Sequence, residues 1–265
     1  MKPFQRIICE LVDVFIAARA ERLLSWVINL GLYLFFKICN NFSIVGKKYI
    51  PKNKNFLLVG NHSSAADAYL LSAALTGRFC MQFWYMANAS WRFDDPFFSR
   101  LMRLSGALPR RGAGAEIVKK MVKVIVDPKR RRVAIPPEGT FNTGGKIMHG
   151  FTGVVRVYHE ANKRFRIPIL PVVSIGAAEA YPAEKKPNEP YLPKKRHGII
   201  GRIGKPFYLP RPASGIMDRD FLRTQTDFII ERLRRLAMQK EPLAENAVLE
   251  KVRERQDEQS RIYTE

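Results

Sequence analysis

The sequence contains few cysteines, and it lacks the features of secreted, disulfide-stapled or repeat proteins. Cys9, Cys39 and Cys80 are the three cysteines among 265 residues, an odd number without the paired spacing of metal ligands. They indicate a reducing compartment and no metal site. No secretory signal with a cleavage site and no internal repeat is recognisable in the chain.

Acidic residues are also scarce relative to basic ones. The chain has 45 Lys plus Arg against 24 Asp plus Glu, a formal net charge of +21 and a pI of about 10.2. Such a charge attracts a polyanion, which can be nucleic acid, an anionic bilayer or a phosphorylated substrate. Hydrophobic residues make up 46% and charged residues 26%, so the chain is globular and not disordered.

No apolar run has the ordinary length of a membrane-spanning helix, which is about 20 residues. The longest apolar run near the N-terminus is residues 23–36, which includes Asn29 and ends at Lys37. Trp26 and Tyr33 suit a helix that lies in the membrane interface, and we predict such helices in a segment spanning residues 1–45. A buried helix of a soluble core and a single membrane span are the alternatives.

From residue 46 the pattern becomes α/β. Short apolar runs that indicate strands alternate with longer helical patterns. The predicted strands are at 55–60, 83–86, 133–135, 169–174 and 201–209, and the predicted helices are at 68–75, 95–104, 115–126 and 221–238. We therefore predict one α/β domain over residues 46–240, with a mixed, largely parallel sheet flanked by helices. The charged residues 241–265 are predicted to form a frayed helix or tail.

A histidine and an aspartate follow the first predicted strand of this domain. His62 and Asp67 lie between a buried strand and a helix, where a rigid scaffold can hold exposed catalytic groups. Ser63 or Ser64 can cap the helix. The positive N-terminal end of the helix favours a neutral imidazole, which is the form that a general base requires. Asp67 can fix the tautomer of His62, as in the base half of a catalytic triad. An ordinary helix start is the alternative interpretation.

Two glycine-containing loops carry further candidate residues. Arg110 and Arg111 follow Gly106 and can present paired guanidinium groups to a phosphate. Glu138, Gly139 and Thr140 follow a strand that two prolines end, in a turn where a ligand can approach backbone amides. Taken alone, either loop is better interpreted as a structural turn.

Taken in order, these stretches resemble the lysophospholipid acyltransferase family, typified by the 1-acylglycerol-3-phosphate acyltransferases. Residues 61–67 match the family's His-x4-Asp block, residues 106–111 its glycine-to-arginine block, residues 137–140 its Pro-Glu-Gly-Thr block, and residues 167–172 its proline-bounded strand. The blocks cover residues from about 46 to 215.

The resemblance implies acyl transfer from acyl-CoA or acyl-carrier protein to a hydroxyl of a lysolipid, without a cofactor or a metal. His62 would be the general base and Asp67 would orient it. Arg110 and Arg111 would bind the phosphate of the acceptor, and Glu138, Gly139 and Thr140 would shape its site. The resemblance also implies a protein bound to anionic membranes at the cytoplasmic face.

Two positions depart from the family pattern. Phe141 and Asn88 stand where the commoner members carry basic residues. An acceptor without a phosphomonoester is therefore an alternative substrate. A membrane-bound scaffold without activity is another alternative, which His62 and Asp67 disfavour. A nucleic-acid-binding protein is a third, but no recognisable binding motif accompanies the basic runs, so we expect no nucleic-acid partner.

Overall fold

The computed structural model describes residues 21–51, 54–64, 66–75, 83–88, 99, 106–110, 112–127, 132–140, 142, 145–182, 197–212 and 215–238. Its helices are α1 (Glu21–Asn40), α2 (Asp67–Leu75), α3 (Gly114–Ile125), α4 (Gly153–Asn162), α5 (Ala177–Ala180) and α6 (Arg219–Leu236). Its strands are β1 (Ser43–Val45), β2 (Phe56–Gly60), β3 (Phe83–Asn88), β4 (Ala107–Arg110), β5 (Arg132–Ile135), β6 (Ile169–Ile175) and β7 (Ile200–Ile203). The predicted tail at 241–265 lies outside the described residues, as does the predicted helix at 95–104 apart from Ser99.

The seven described strands form one sheet in the order β1-β7-β6-β2-β5-β3-β4. Strand β2 lies in the middle, parallel to both of its neighbours, β5 and β6. Strands β3 and β4 continue the parallel part beyond β5. Strand β7 pairs antiparallel with β6 and parallel with β1. The prediction of a mixed, largely parallel sheet is confirmed.

Strand β2 is buried along its whole length, because helices cover both faces of the sheet. Leu57 and Val59 face a layer formed by α3, α4 and α6. Phe56 and Leu58 face the opposite layer, which contains α1 and α2. The uninterrupted apolar pattern of β2 thus reflects burial on both faces of the sheet. The buried strand also fixes where the loop that follows it begins.

Helix α1 packs one face on the domain and exposes the other. Phe36 is 3% exposed and lies edge-on to the ring of Tyr181. Apolar side chains at helical spacing cover the exposed face, namely Val27, Leu34, Phe35 and Ile38. Among the described residues, no helix is both long enough and apolar enough to cross a membrane.

Besides β1 and α5, which the sequence analysis did not predict, the structure differs from the prediction at three elements. Residues 107–110, predicted as a loop, form the edge strand β4, which tolerates Pro109 because an edge strand needs fewer ladder donors. Helix α4 had no counterpart in the prediction; its valines favour strands. The last predicted strand, 201–209, is shorter, since β7 ends at Ile203 and only Phe207 rejoins the sheet through a bridge to Ile169.

Candidate active site

The candidate site lies where β2 and β5 end. These strands are parallel neighbours, so the residues that follow them lie at the same edge of the sheet. His62 comes two residues after β2, and Glu138 comes three residues after β5. The two loops are therefore brought together by the register of the sheet, although they are far apart in sequence.

The imidazole of His62 lies beside the carboxylate of Asp67. Nδ1 of His62 is 3.3 Å from Oδ2 of Asp67. The His62 side chain is 25% exposed and that of Asp67 only 2%. Asp67 begins α2, and its Oδ2 also accepts a hydrogen bond from the backbone amide of Ser64, while the Ser64 hydroxyl accepts one from the amide of Ala66. These reciprocal bonds resemble a capping box, and they confirm Ser64 as the capping serine.

The second oxygen of Asp67 is held by a residue that the sequence analysis did not identify. Ser174, in β6, donates a 2.7 Å hydrogen bond from its hydroxyl to Oδ1 of Asp67. Asn61 fixes Ser174 in turn, because its side chain accepts from the amide of Ser174 at 2.9 Å and donates to the Ser174 carbonyl at 3.0 Å. All three residues are buried. The carboxylate that faces His62 is thus oriented by donors at both oxygens.

The carboxylate of Glu138 contacts the backbone of His62. It has no exposed surface, and its two oxygens accept hydrogen bonds from the amides of His62 and Met148, each at 2.9 Å. Burial raises the pKa of Glu138 to about 7, although both amide hydrogen bonds lower it. The carbonyl of His62 accepts a hydrogen bond from the amide of Asn142. Glu138 therefore positions the backbone of His62. The sequence analysis assigned Glu138 only to the acceptor site.

Gly139 and Thr140 form the solvent-facing part of the same turn. Gly139 is exposed and Thr140 half-buried. Gly139 has φ +67°, and a Cβ at this position would lie 2.8 Å from Cδ2 of Phe151. Glycine is needed here for both its backbone conformation and its lack of a side chain.

Arg110 is exposed at the end of β4, at the same edge of the sheet as His62. It pairs in register with Asn88, the last residue of β3. Strand β4 is the third strand from β2, a separation of about 14 Å at ordinary strand spacing. Arg111 and Phe141 lie outside the described residues.

Together these groups can perform general-base chemistry. If Nδ1 of His62 carries a proton donated to Asp67, the lone pair of the neutral imidazole lies on Nε2. Nε2 can then take a proton from a substrate hydroxyl, while buried Asp67 stabilises the imidazolium that forms.

Comparison with known proteins identifies the family of the chain. The family model described as Acyltransferase matches residues 41–175, from just before β1 to the last residue of β6. A comparison of the sequence with curated proteins gives no match. The fold is similar to that of PlsC, the 1-acyl-sn-glycerophosphate acyltransferase from Thermotoga maritima, with a TM-score of 0.60, 16% identity, and coverage of 91% of this chain and 100% of that chain. Since the family model spans half of the sequence and includes His62, Asp67, Glu138 and Ser174, the chain belongs to the acyltransferase family and is an acyltransferase enzyme.

Proposed function

We propose that this acyltransferase moves a fatty acyl group from acyl-CoA or acyl-carrier protein to a hydroxyl of a lysophospholipid such as 1-acylglycerol-3-phosphate. The observation that carries the proposal is the contact between Nδ1 of His62 and the buried carboxylate of Asp67. PlsC, which has a similar fold, is described as an acyltransferase for 1-acyl-sn-glycerophosphate.

In the proposed reaction, Nε2 of His62 removes the proton from the acceptor hydroxyl as its oxygen attacks the carbonyl carbon of the thioester. The tetrahedral intermediate then collapses, the carbon–sulfur bond breaks, and the imidazolium of His62 returns the proton to the leaving thiolate. Asp67 keeps the imidazole in the required tautomer throughout. No acyl-enzyme forms, because the acceptor oxygen is itself the nucleophile. General-base assistance of this kind contributes about 10²–10⁴ to a rate.

In the acceptor site that we propose, Arg110 and Arg111 bind the phosphate, and Gly139 and Thr140 form the wall beside it. Arg110 is suited to this role because it is exposed at the same sheet edge as His62. Glu138 orders the turn that carries this wall, through its bonds to His62 and Met148.

We also propose that the enzyme works at an anionic membrane surface on the cytoplasmic side. The support is the exposed apolar face of α1, where Ile38 is 75% and Val27 51% exposed. Such a face, on a protein with a formal net charge of +21, suits insertion into the headgroup region of anionic lipid.

This sequence differs from the commoner members of its family at two positions that bear on the acceptor preference. Losing one charged contact costs about 1.5–3 kcal/mol, or roughly one to two orders of magnitude in affinity. With Phe141 and Asn88 at positions that are basic in commoner members, we propose that lysophosphatidic acid is accepted without strong preference. A lysolipid with a phosphodiester head, or without phosphate, should compete with it.

The test is relative kcat/KM for a panel of lysolipids in vesicles, with radiolabelled acyl-CoA and acyl-carrier protein as donors. Phe141→Arg should shift preference toward lysophosphatidic acid, whereas Ile216→Arg, which adds the same charge at an exposed site outside the candidate active site, should not. Strong selectivity of the wild type for lysophosphatidic acid, unchanged by Phe141→Arg, would contradict the acceptor proposal. Absence of transfer to every lysolipid would contradict the proposed function itself.

A further inference from the structure

A cleft of about 910 Å³ lies away from the candidate active site. Its walls come from the last turn of α4, the segment that leads into β6, and the segment that follows β7. Helix α4 connects β5 to β6, which both run parallel to β2, so its last turn lies at the amino edge of the sheet. His62 lies at the carboxyl edge, and the two sites are therefore at opposite edges.

This basic cleft carries charge of one sign. Lys163, Arg164, Arg166 and Arg211 line it, and none of the described residues that line it is acidic. Lys163 pairs with Glu160 at 2.8 Å on the exposed surface. Within the part of the chain that the structure describes, the three arginines form no ion pair with a carboxylate. The cleft is therefore complementary to an anion. Arginines favour phosphate because a planar guanidinium group can donate two hydrogen bonds to it at once.

Aromatic rings and one buried polar group complete the cleft. Arg166 stacks over Tyr208, with 4.6 Å between the guanidinium carbon and the ring centroid. Phe165 is 52% exposed at the rim. His159 also lines the cleft, is 7% exposed, and has a buried Nε2 without a hydrogen-bond partner. Burial lowers the pKa of His159, which favours a neutral ring that can donate to or accept from a ligand.

We propose that the basic cleft binds a soluble phosphorylated ligand with a planar ring, which is the chemistry of a nucleotide. The cleft is in the size range of small-molecule sites and is much larger than a single phosphate requires. Its arginines suit the phosphates, and the partly exposed rings of Tyr208 and Phe165 suit the base. Tyr158, at its wall, belongs to the layer of α3, α4 and α6, on the other face of the sheet from α1, which is the helix that we propose to contact the membrane.

The ligand can be a free nucleotide or the nucleotide end of coenzyme A, and binding measurements distinguish the two. We suggest calorimetric titration of the full-length protein with ATP, coenzyme A and tripolyphosphate, in the absence of turnover. Wild-type protein should bind ATP or coenzyme A at one saturable site and tripolyphosphate at least fivefold more weakly. If coenzyme A binds much more tightly than ATP, the natural ligand of the cleft is the acyl donor. If the two bind equally, the natural ligand is a free nucleotide.

Variants at exposed positions make the test specific. Arg164→Gln/Arg211→Gln should weaken binding by about 100-fold, since each lost charged contact costs about tenfold or more. Lys119→Gln/Lys123→Gln removes the same charge from exposed positions on α3 and should change binding by less than twofold. Tyr208→Leu should weaken ATP but not tripolyphosphate. The proposal is overturned by the absence of saturable binding at millimolar ligand, by equal losses in the two double variants, or by tripolyphosphate binding as tightly as ATP. Because no turnover is measured, loss of saturable binding would overturn this proposal without contradicting the acyl-transfer proposal.

Discussion

The hydroxyl of Ser174 donates a 2.7 Å hydrogen bond to Oδ1 of Asp67, a residue 107 positions earlier in the sequence. The other oxygen of the same carboxylate faces Nδ1 of His62. Ser174 therefore orients the group that orients the base. It contacts neither the imidazole nor, in the proposed mechanism, the substrate, so its role is that of a positioning residue.

Replacing this serine should affect turnover more than binding. Ser174→Ala removes a hydrogen bond to a charged group, worth about 1.5–3 kcal/mol, and leaves Asp67 less well oriented. We expect kcat to fall roughly tenfold or more with KM within twofold. Ser174→Thr keeps the hydroxyl in a strand that accepts β-branched residues, and it should restore most of kcat. Steady-state kinetics on the three proteins provide the measurement. Equal kcat in wild type and Ser174→Ala would show that Ser174 has no positioning role.

Glu138 should make stability depend on pH. Its pKa is raised from 4.5 to about 7 in the folded protein, so the folded state holds the proton more tightly than the unfolded chain. The stability from this group is fully present below pH 4.5 and is lost as the pH rises toward about 7, a change of about 3 kcal/mol.

The pH dependence can be isolated by comparison with Glu138→Gln, which has no titrating group at this position. The free energy of unfolding of wild type minus that of the variant should be larger at pH 5 than at pH 8. Urea unfolding at several pH values measures this difference, because the other titrating groups cancel. A difference that does not change between pH 5 and pH 8 would contradict a raised pKa.

Gly139 should tolerate no side chain. Gly139→Ala forces a left-handed conformation on alanine, at about 1–2 kcal/mol, and brings its Cβ against Phe151. We expect lower thermal stability and a higher KM for the acceptor. Gly114→Ala is the matched control, since this glycine begins α3, has no positive φ, and a Cβ there meets no atom within 4 Å. Similar behaviour of the two variants would show that the turn is not constrained.

The exposed face of α1 should govern membrane binding. Leu34→Gln/Ile38→Gln removes two exposed apolar side chains, each worth about 1.5–3 kcal/mol when inserted. Partition onto anionic vesicles should fall at least about tenfold, and salt should release the wild type only in part. Ile216→Gln, 68% exposed outside α1, is the control. Sedimentation with vesicles measures the effect, and complete release of the wild type by salt alone would exclude insertion.

Much of this architecture can be predicted from local sequence patterns. The apolar run of β2 and the helical composition of α2 place His62 and Asp67 at a strand-to-helix turn, and both residues lie within six positions of one another. Their contact therefore follows from local geometry, which sequence patterns report well. The periodicity of α6 predicts its position for the same reason.

The supporting contacts depend on the assembled sheet. The bond from His62 to Glu138 spans 76 residues and that from Ser174 to Asp67 spans 107. Nothing in the local pattern distinguishes Ser174 from any other serine of a buried strand. The sequence analysis assigned Glu138 to the acceptor site, because the local pattern shows only a turn that a ligand can approach. Of its two amide donors, Met148 lies only ten residues further along the chain, whereas His62 lies in a loop that the order of the strands brings close.

His62 is the general base of the proposed mechanism, and the rate of acyl transfer by purified His62→Ala tests this role most directly. Alanine keeps the backbone amide that donates to Glu138 and the carbonyl that accepts from Asn142, so the turn should persist and the melting temperature should change little. We expect kcat to fall by about 10²–10⁴, to the level of the reaction without a base. Near wild-type turnover in a folded His62→Ala protein would contradict the mechanism.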